Sequence, residues 1–324
     1  MVMRKFFILL LAVFLTNSYV HAGEKKGGIV IAFDDGYPSW ITIIAPELSS
    51  VGGLATGFVN NQRIKFGDIS FDDLLLLQNK YGWEIGTHTY HHYNAPEYVQ
   101  QKGLSSWIKN ELEASVTELQ AHGLKIYSVV FPYNAFTKEL AVEVLKRHTT
   151  FRHDDVYPIA DSIGKDGSLP GTEFDIGFYV PIEHVFKWID FAQKQDAFLF
   201  LYAHKVLPDE EFSTGIVTSL STQTLFADKD ISLPSKRDLC LVPDTRMRVY
   251  KAIKVESVSG NVVKVFQGDL SRMSRTGATF IVGPCYGMQR SYFRRIIEYA
   301  AERLSFYTVN EVLVKMQKQS KKEL

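Results

Sequence analysis

The stretch of sequence that decides the fold is GIVIAFDDGY, residues 28–37. Its β-branched and aromatic residues are typical of a buried strand, and the strand ends in two carboxylates and a glycine. It therefore delivers Asp34 and Asp35 to the edge of a sheet or barrel, where Gly36 allows the backbone to turn. Two carboxylates at such a short distance repel each other unless a cation lies between them or one of them takes a proton. The stretch thus predicts a reactive site at a strand end.

A second strand end lies further along the chain in WEIGTHTYHH, residues 83–92. His88 and His92 are four positions apart, so one helical turn after the strand would place both imidazoles on one side. With Asp35 they make a set of two histidines and one carboxylate, which suits zinc or another divalent transition metal used in catalysis. The alternative is a simple turn at the DDG sequence and a polar loop that contains the histidines.

The pairing of AFDDG with HTYHH resembles the first two motifs of the polysaccharide deacetylases, carbohydrate esterase family 4. The resemblance implies that Asp34 is the catalytic base and that Asp35, His88 and His92 bind a divalent metal ion, zinc in the first place. It leaves His91 without a role. It also implies that the partner of the protein is a polysaccharide substrate.

A third motif of the family, Arg-x-Pro-Tyr-Gly, is matched in part by VFPYN. The resemblance implies that the backbone N–H of Tyr133 donates to the oxyanion of the reaction. The arginine of the motif is replaced by Val130, and the glycine by Asn134, which tolerates left-handed backbone. Arg152, on the next expected strand, could supply the missing charge from another position. A surface position for this arginine is the alternative.

The run LFLYAH resembles the fifth motif, in which a histidine follows a barrel strand. The resemblance implies His204 as the general acid, whereas the alternative is a capped core histidine. An aspartate-rich fourth motif, which would tune this histidine, is poorly matched, and its candidates are Asp154, Asp155 and Asp175.

The function that the resemblance implies is metal-dependent removal of acetyl groups, N-acetyl before O-acetyl, from an extracellular or cell-wall polysaccharide. Two alternatives remain open at this point. One is a catalytically impaired carbohydrate-binding protein on the same fold, suggested by the missing arginine and the weak fourth motif. The other is a hydrolase of a small amide or imide. With 36 basic and 36 acidic residues, nothing favours nucleic acid or an anionic membrane surface as a partner.

Strand-like and helix-like segments alternate from residue 28 onward, which predicts a parallel sheet covered by helices. The expected fold is a distorted barrel of seven or eight β/α units, with its chemistry at the carboxyl ends of the strands. Beyond residue 37, helices are expected at 39–51, 71–81, 107–122 and 137–148, and strands at 55–60, 126–131, 149–153, 174–182 and 197–204.

Residues 1–22 have the basic start, apolar core and small terminal residue of a secretory signal peptide. The apolar core is shorter than the ~20 residues that span a bilayer, so we expect export to the periplasm or the exterior without a membrane anchor after cleavage. The oligomeric state is left open by the sequence.

The alternation stops after residue 205 and returns at residue 289. Residues 206–288 are therefore interpreted as an inserted β-rich subdomain, and residues 28–205 plus 289–314 as the deacetylase-like barrel. Within the insertion, strands are expected at 231–233, 238–242, 248–255 and 262–266, with the last two in a hairpin. Cys240 and Cys285 suggest a disulfide in an exported protein, two buried free thiols being the alternative.

Overall fold

The computed structural model describes residues 25–234 and 237–320. The predicted signal peptide of residues 1–22 lies outside these ranges. Among the described helices, none combines the length and the apolar character that a membrane span requires.

A mixed but mainly parallel sheet forms the larger part of the protein. Its strands in the first two thirds of the chain are β1 Gly28–Asp35, β2 Thr56–Val59, β3 Glu84–Thr87, β4 Ser128–Val130, β5 Thr150–Arg152, β6 Ile159–Ala160, β7 Ser168–Leu169, β8 Thr172–Glu173 and β9 Phe198–Ala203. The strand order is β6-β9-β1-β2-β3-β4-β5-β7, and β8 also pairs with β9. Because two residues join β7 to β8, they bring the two sides of the sheet together and nearly close it into a barrel. The predicted barrel fold is confirmed.

Most helices cover the outside of this sheet. They are α1 Ala45–Ser50, α2 Asn61–Phe66, α3 Phe71–Lys80, α4 Ala95–Lys102, α5 Leu104–Trp107, α6 Ala114–Ala121, α7 Lys138–Leu145, α8 Ile182–Gln195 and α10 Arg290–Ala301. α9 Leu270–Met273 packs in the core of the later antiparallel sheet, and α11 Val309–Ser320 packs against the apolar cluster inside the barrel. Two π-helical segments, Trp40–Ile44 and Ile108–Glu113, continue into α1 and α6. Ser70 caps α3 with a hydrogen bond from the Asp73 N–H, as its sequence indicates.

The alternation of side chains along β1 sets the direction of the first of its two carboxylates. Val30 and Ala32 join an apolar cluster with residues of β2, β4 and β9, which is the barrel interior, whereas Ile31 and Phe33 belong to the cluster under the outer helices. Since successive residues of a strand point to opposite faces, Asp34 continues the interior row. Asp35 has a positive φ of 79° and leaves this alternation, so the two acids can take different partners at the same edge.

A second, antiparallel sheet is built by the later part of the chain. Further strands are β10 Val206–Leu207, β11 Ser213–Leu220, β12 Thr224–Ala227, β13 Leu239–Val242, β14 Val255–Ser259, β15 Val262–Val265, β16 Thr279–Pro284, β17 Met288–Gln289 and β18 Ser305–Phe306. Six of them form the antiparallel sheet, in the order β13-β16-β11-β12-β15-β14. β10 pairs with β17, so the chain leaves and rejoins the barrel at neighbouring points. The division into barrel and inserted subdomain stays a prediction.

A disulfide joins Cys240 on β13 to Cys285, directly after β16. The bond closes a sequence separation of 45 residues, and both half-cystines are fully buried in the core of the antiparallel sheet. The alternative of two free thiols is therefore wrong for this structure.

Some expected elements are wrong. The expected strand at 174–182 is a short 3₁₀ turn, Ile176–Phe178, after β8, because its backbone N–H groups donate to Gly287 and Cys285 rather than to a sheet neighbour. Residues 231–233 and 248–254 are not strands, while β11, β12 and β16 were not expected. β16 pairs with β11 and β13 across long sequence separations, which local periodicity does not report. β11 and β12 pair locally as a short hairpin, which the sequence analysis missed. A hairpin ends at β15 as expected, but its first strand is β14, Val255–Ser259, and not residues 248–255.

Candidate active site

Polar side chains collect at the carboxyl ends of the parallel barrel strands. β1 ends in Asp34 and Asp35, β3 is followed by His88, and β9 is followed by His204. Because β1 pairs in parallel with β2 and β9, and β2 with β3, these ends lie along one edge. A cleft of about 1040 Å³ opens there, and all four side chains line it. This is the edge at which barrel enzymes place their chemistry.

Asp35, His88 and His92 bring three potential ligand atoms together. The Nε2 atom of His92 lies 3.2 Å from Oδ1 of Asp35 and 3.1 Å from Nε2 of His88. The Nε2 atom of His88 is 3.8 Å from the same carboxylate oxygen. The structure thus assembles the three residues that the sequence predicts as ligands.

The surroundings of the two imidazoles leave them able to bind a cation. The Nδ1 atom of His88 lies 2.9 Å from the carbonyl oxygen of Val130. Because a carbonyl only accepts, Nδ1 carries the proton, and the lone pair of Nε2 points toward the carboxylate of Asp35. Burial and the neighbouring His88 ring lower the pKa of His92 to about 4, so this imidazole is neutral near neutral pH. The ring nitrogens of the two histidines and the carboxylate oxygen form a ligand set that fits a divalent metal.

The chain that follows β3 is not the helical turn that the spacing of the histidines suggests. Thr89 and His92 have positive φ angles of 64° and 60°, which a right-handed turn does not contain. His91 anchors this loop, since its N–H and its Nδ1 lie 2.9 and 2.7 Å from the two oxygens of Glu111. The loop brings His92 back to the cluster by left-handed backbone instead of helical periodicity.

Asp35 has two further polar neighbours. Asn60, directly after β2, donates from Nδ2 to Oδ1 of Asp35 at 3.1 Å, and Arg63 approaches its Oδ2 at 3.6 Å. Burial alone would raise the pKa of Asp35, but the neighbouring histidine rings, His88 first, and Arg63 lower it overall. The carboxylate is therefore held in its ionised form, which a metal ligand requires.

Asp34 faces a different partner. Nη1 and Nη2 of Arg152 donate to its two carboxylate oxygens at 2.9 and 2.5 Å, and both residues are buried. Burial would raise the pKa of Asp34, but the charge of Arg152 and its hydrogen bonds lower it overall. In the β4–β5 pairing Arg152 lies beside Val130, the position of the missing motif arginine. The hypothesis that Arg152 supplies that charge agrees with this contact, and a surface position is wrong.

His204 lies on the other side of the cleft with Asp175. The Oδ2 atom of Asp175 lies 2.6 Å from Nδ1 of His204 and accepts from its backbone N–H at 3.0 Å. Burial lowers the pKa of His204, but the hydrogen bond and charge of Asp175 raise it to about 10. Of the three candidates for the fourth motif, Asp175 makes this contact. Asp154 accepts from the Tyr202 hydroxyl and Asp155 from the Tyr157 N–H.

Tyr133 borders the metal-ligand cluster. Its backbone is left-handed, with φ 61° and ψ 14°, and it follows Pro132 in a 3₁₀ turn directly after the buried end of β4. Its ring is 66% exposed and meets the ring of His92 edge-on, with centroids 4.9 Å apart. The oxyanion role of its N–H stays a prediction.

A family comparison bears on these residues. Residues 21–150 match the family model described as polysaccharide deacetylase. Residues 21–150 belong to the polysaccharide deacetylase family. The predicted family is confirmed, and with it the enzyme class, a hydrolase that acts on amide or ester bonds. The matched range contains Asp34, Asp35, His88, His92 and Tyr133 and ends before Arg152 and His204.

Several solved structures resemble this chain. The peptidoglycan deacetylase PdaC from Bacillus subtilis is 14% identical, with 92% of this chain and 95% of that chain covered and a TM-score of 0.45. The Xyl-CE4 domain of a multidomain xylanase from the hindgut metagenome of Trinervitermes trinervoides is 14% identical, with 90% and 92% covered and a TM-score of 0.46. A pseudoenzyme of the same family from Bacillus anthracis is 19% identical, with 39% and 43% covered and a TM-score of 0.32. No curated protein sequence matches the chain.

The cleft also contains residues that sequence reasoning missed. Asn60 had a usable signal, because it directly follows a buried strand, as the predicted site residues do. Glu173 is buried within 3.7 Å of His204, and burial raises its pKa to about 8. Tyr286 meets the ring of His204 edge-on, with centroids 5.1 Å apart. It comes from the later part of the chain, so no local pattern indicates it.

Proposed function

We propose that the protein hydrolyses acetyl groups from an extracellular or cell-wall polysaccharide, with zinc as its metal ion. The observation that carries this proposal is that two carboxylates adjacent in the chain have different partners. Asp34 is paired with the guanidinium of Arg152, whereas Asp35 joins the imidazoles of His88 and His92. Two neighbouring acids with different partners are suited to two different roles in one reaction.

Asp35, His88 and His92 would hold the metal ion. When bound, the ion supplies Lewis-acid polarisation of the acetyl carbonyl and a lowered pKa of water. The other ring nitrogen of His88, Nδ1, already donates to the Val130 carbonyl. This hydrogen bond orients Nε2 toward the metal position.

Asp34 is proposed as the general base. It takes a proton from the water that attacks the acetyl carbon, and Arg152 orients the carboxylate and keeps it ionised beforehand. Both carboxylate oxygens accept from the guanidinium, so the proton is taken by a remaining lone pair of one oxygen. The N–H of Tyr133 is proposed to donate to the tetrahedral oxyanion.

His204 is proposed as the general acid. It enters the reaction protonated because Asp175 stabilises the imidazolium, and it gives its proton to the leaving nitrogen or oxygen. The products are acetate and the free amine or alcohol. An amine is the poorer leaving group and gains more from this proton, so the dedicated His204–Asp175 pair supports N-acetyl before O-acetyl groups.

The binding-protein alternative rested on the missing motif arginine and on the poorly matched fourth motif. The contacts of Arg152 with Asp34 and of Asp175 with His204 weigh against both reasons. Export of the protein stays part of the proposal, and the disulfide of Cys240 and Cys285 supports an oxidising compartment. A small amide or imide substrate remains an outcome of the test.

The test is acetate release from acetylated glycans: N-acetylglucosamine oligomers, peptidoglycan and acetylated xylan. Zinc-loaded protein is compared with Asp34→Asn, a nearly isosteric variant, and with Asp155→Asn as a matched control. We expect release by the wild type and the control and a loss of about 10²–10⁴-fold in Asp34→Asn. Wild-type protein that binds zinc but releases no acetate from any glycan would contradict the proposal.

A further inference from the structure

Tyr286 places an aromatic side chain from the antiparallel sheet in the candidate active site. It lies in the turn between β16 and β17 and lines the cleft. Its ring is 45% exposed and meets the imidazole of His204 edge-on. A turn of the antiparallel sheet therefore contributes to the wall of the site. The residues that the sequence predicts for this site all come from the barrel strands and the segments that follow them.

The backbone on both sides of Tyr286 is fixed. Cys285 before it forms the disulfide with Cys240, and its carbonyl accepts from the Gly177 N–H at 2.9 Å. The carbonyl of Gly287 after it accepts from the Ile176 N–H, also at 2.9 Å. A Cβ at Gly177 would lie only 3.0 Å from the Cys285 oxygen, so this close approach favours glycine. The turn that contains Tyr286 is thus held against the 3₁₀ turn that directly follows Asp175, the hydrogen-bond partner of His204.

Tyr133 and Tyr286 have matching positions in the cleft. Tyr133 contacts His92 of the metal-ligand cluster, and Tyr286 contacts His204. An acetyl group that reacts between those imidazoles is therefore flanked by two exposed aromatic rings. Partly exposed aromatic rings with polar tips, set around a few convergent polar groups, are typical of ligand sites. The sugar units to either side of the reacting acetyl group present C–H faces that such rings can contact.

We propose that the antiparallel sheet completes the substrate cleft and that Tyr286 binds a sugar unit of an acetylated saccharide chain, which favours chains over small acetyl compounds. This inference rests on the proposed function, because it names how the same site selects its substrate class. It assigns Tyr286 a substrate contact and no part in the proton transfers.

The experiment compares Tyr286→Ala and Tyr286→Phe with the wild type. Tyr250→Ala is the matched control, since Tyr250 is 63% exposed in the same part of the chain and does not line the cleft. Steady-state rates are measured on the pentamers of N-acetylglucosamine and acetylated xylose, and on 4-nitrophenyl acetate. For Tyr286→Ala we expect KM for an active pentamer to rise about tenfold, with little change in kcat or in hydrolysis of the small ester. Tyr286→Phe keeps the ring and should restore most of the affinity.

A binding measurement separates this inference from the proposed function. Calorimetric titration of both pentamers into each protein requires no turnover. Wild-type binding that Tyr286→Ala weakens about tenfold supports the inference even if no acetate is released, an outcome that would reject the proposed function alone. Equal losses on the pentamer and the small ester would show an effect through His204 and overturn the inference. So would unchanged binding in Tyr286→Ala, or a wild type that binds neither pentamer.

Discussion

The guanidinium of Arg152 reaches the carboxylate of Asp34 from β5 and lies flat enough over Tyr202 for its Cζ to be 3.6 Å from the ring centroid. The Tyr202 ring fixes the plane of the guanidinium, and the guanidinium orients the carboxylate of Asp34. Arg152 therefore supplies orientation as well as charge.

Arg152→Lys tests whether Arg152 orients Asp34. A lysine keeps the charge but cannot form two parallel hydrogen bonds, so we expect kcat/KM to fall about 10–100-fold, the cost of one charge-assisted hydrogen bond. Because Arg152 lowers the pKa of Asp34, the acid limb of the pH profile should move to higher pH. The measurement is kcat/KM against pH, with Arg147→Lys, a surface arginine, as control. An unmoved acid limb and an unchanged rate would contradict this role.

Asp175→Asn should act on His204. Asp175 raises the pKa of His204 to about 10, so its loss should move the basic limb of the rate profile to lower pH. A raised histidine pKa stabilises the fold fully below the unfolded value of about 6.5, and this contribution is lost as pH rises toward 10. The wild type should therefore lose stability across that window, and Asp175→Asn should lose less.

The readouts for Asp175→Asn are the pH–rate profile and urea unfolding at the two ends of that window. Asp154→Asn is the control, because Asp154 contacts the Tyr202 hydroxyl rather than His204. A basic limb that stays in place would show that Asp175 does not set the proton affinity of His204.

Zinc should stabilise the protein through Asp35, His88 and His92. At a free zinc concentration of 100 times Kd, the free energy of unfolding should rise by about 2.7 kcal/mol, and a chelator should reverse the gain. Asp35→Ala should abolish it, whereas His184→Ala, an exposed histidine on α8, should retain it. Thermal unfolding with and without zinc measures the effect, and an equal gain in Asp35→Ala would place the metal elsewhere.

The bond between Cys240 and Cys285 should stabilise the antiparallel sheet. A closed loop of 45 residues corresponds to about 4 kcal/mol in the chain-entropy model. The variant with both Cys240→Ser and Cys285→Ser should lose about this much free energy of unfolding in urea. It should also bind the pentamers more weakly, because Cys285 precedes Tyr286. A variant as stable as the wild type would show that hydrogen bonds alone hold this segment.

The predictable part of the site lies where local sequence and barrel geometry agree. Asp34, Asp35, His88 and His204 each follow or end a buried strand, so periodicity alone places them at one edge. His92 was assigned to the cluster for the wrong reason, since left-handed backbone brings it there. Tyr286 and the strand β16 depend on pairings distant in sequence, which no local pattern contains. β11 and β12 form a local hairpin that the sequence analysis missed. Arg152 could be named as a candidate because its strand was recognised, but its contact with Asp34 required the register of β4 and β5.

That register has a wider meaning. Val130 and Arg152 are cross-strand neighbours. An arginine can therefore be supplied by either strand at the same level of the barrel, and the site keeps its chemistry. A pattern written along the chain records such an exchange as a loss in one motif and an unrelated residue elsewhere. A two-dimensional pattern, indexed by strand and by level within the barrel, would record it as a conservative change. Relatives that appear inactive by their linear motifs could be sorted again on that grid.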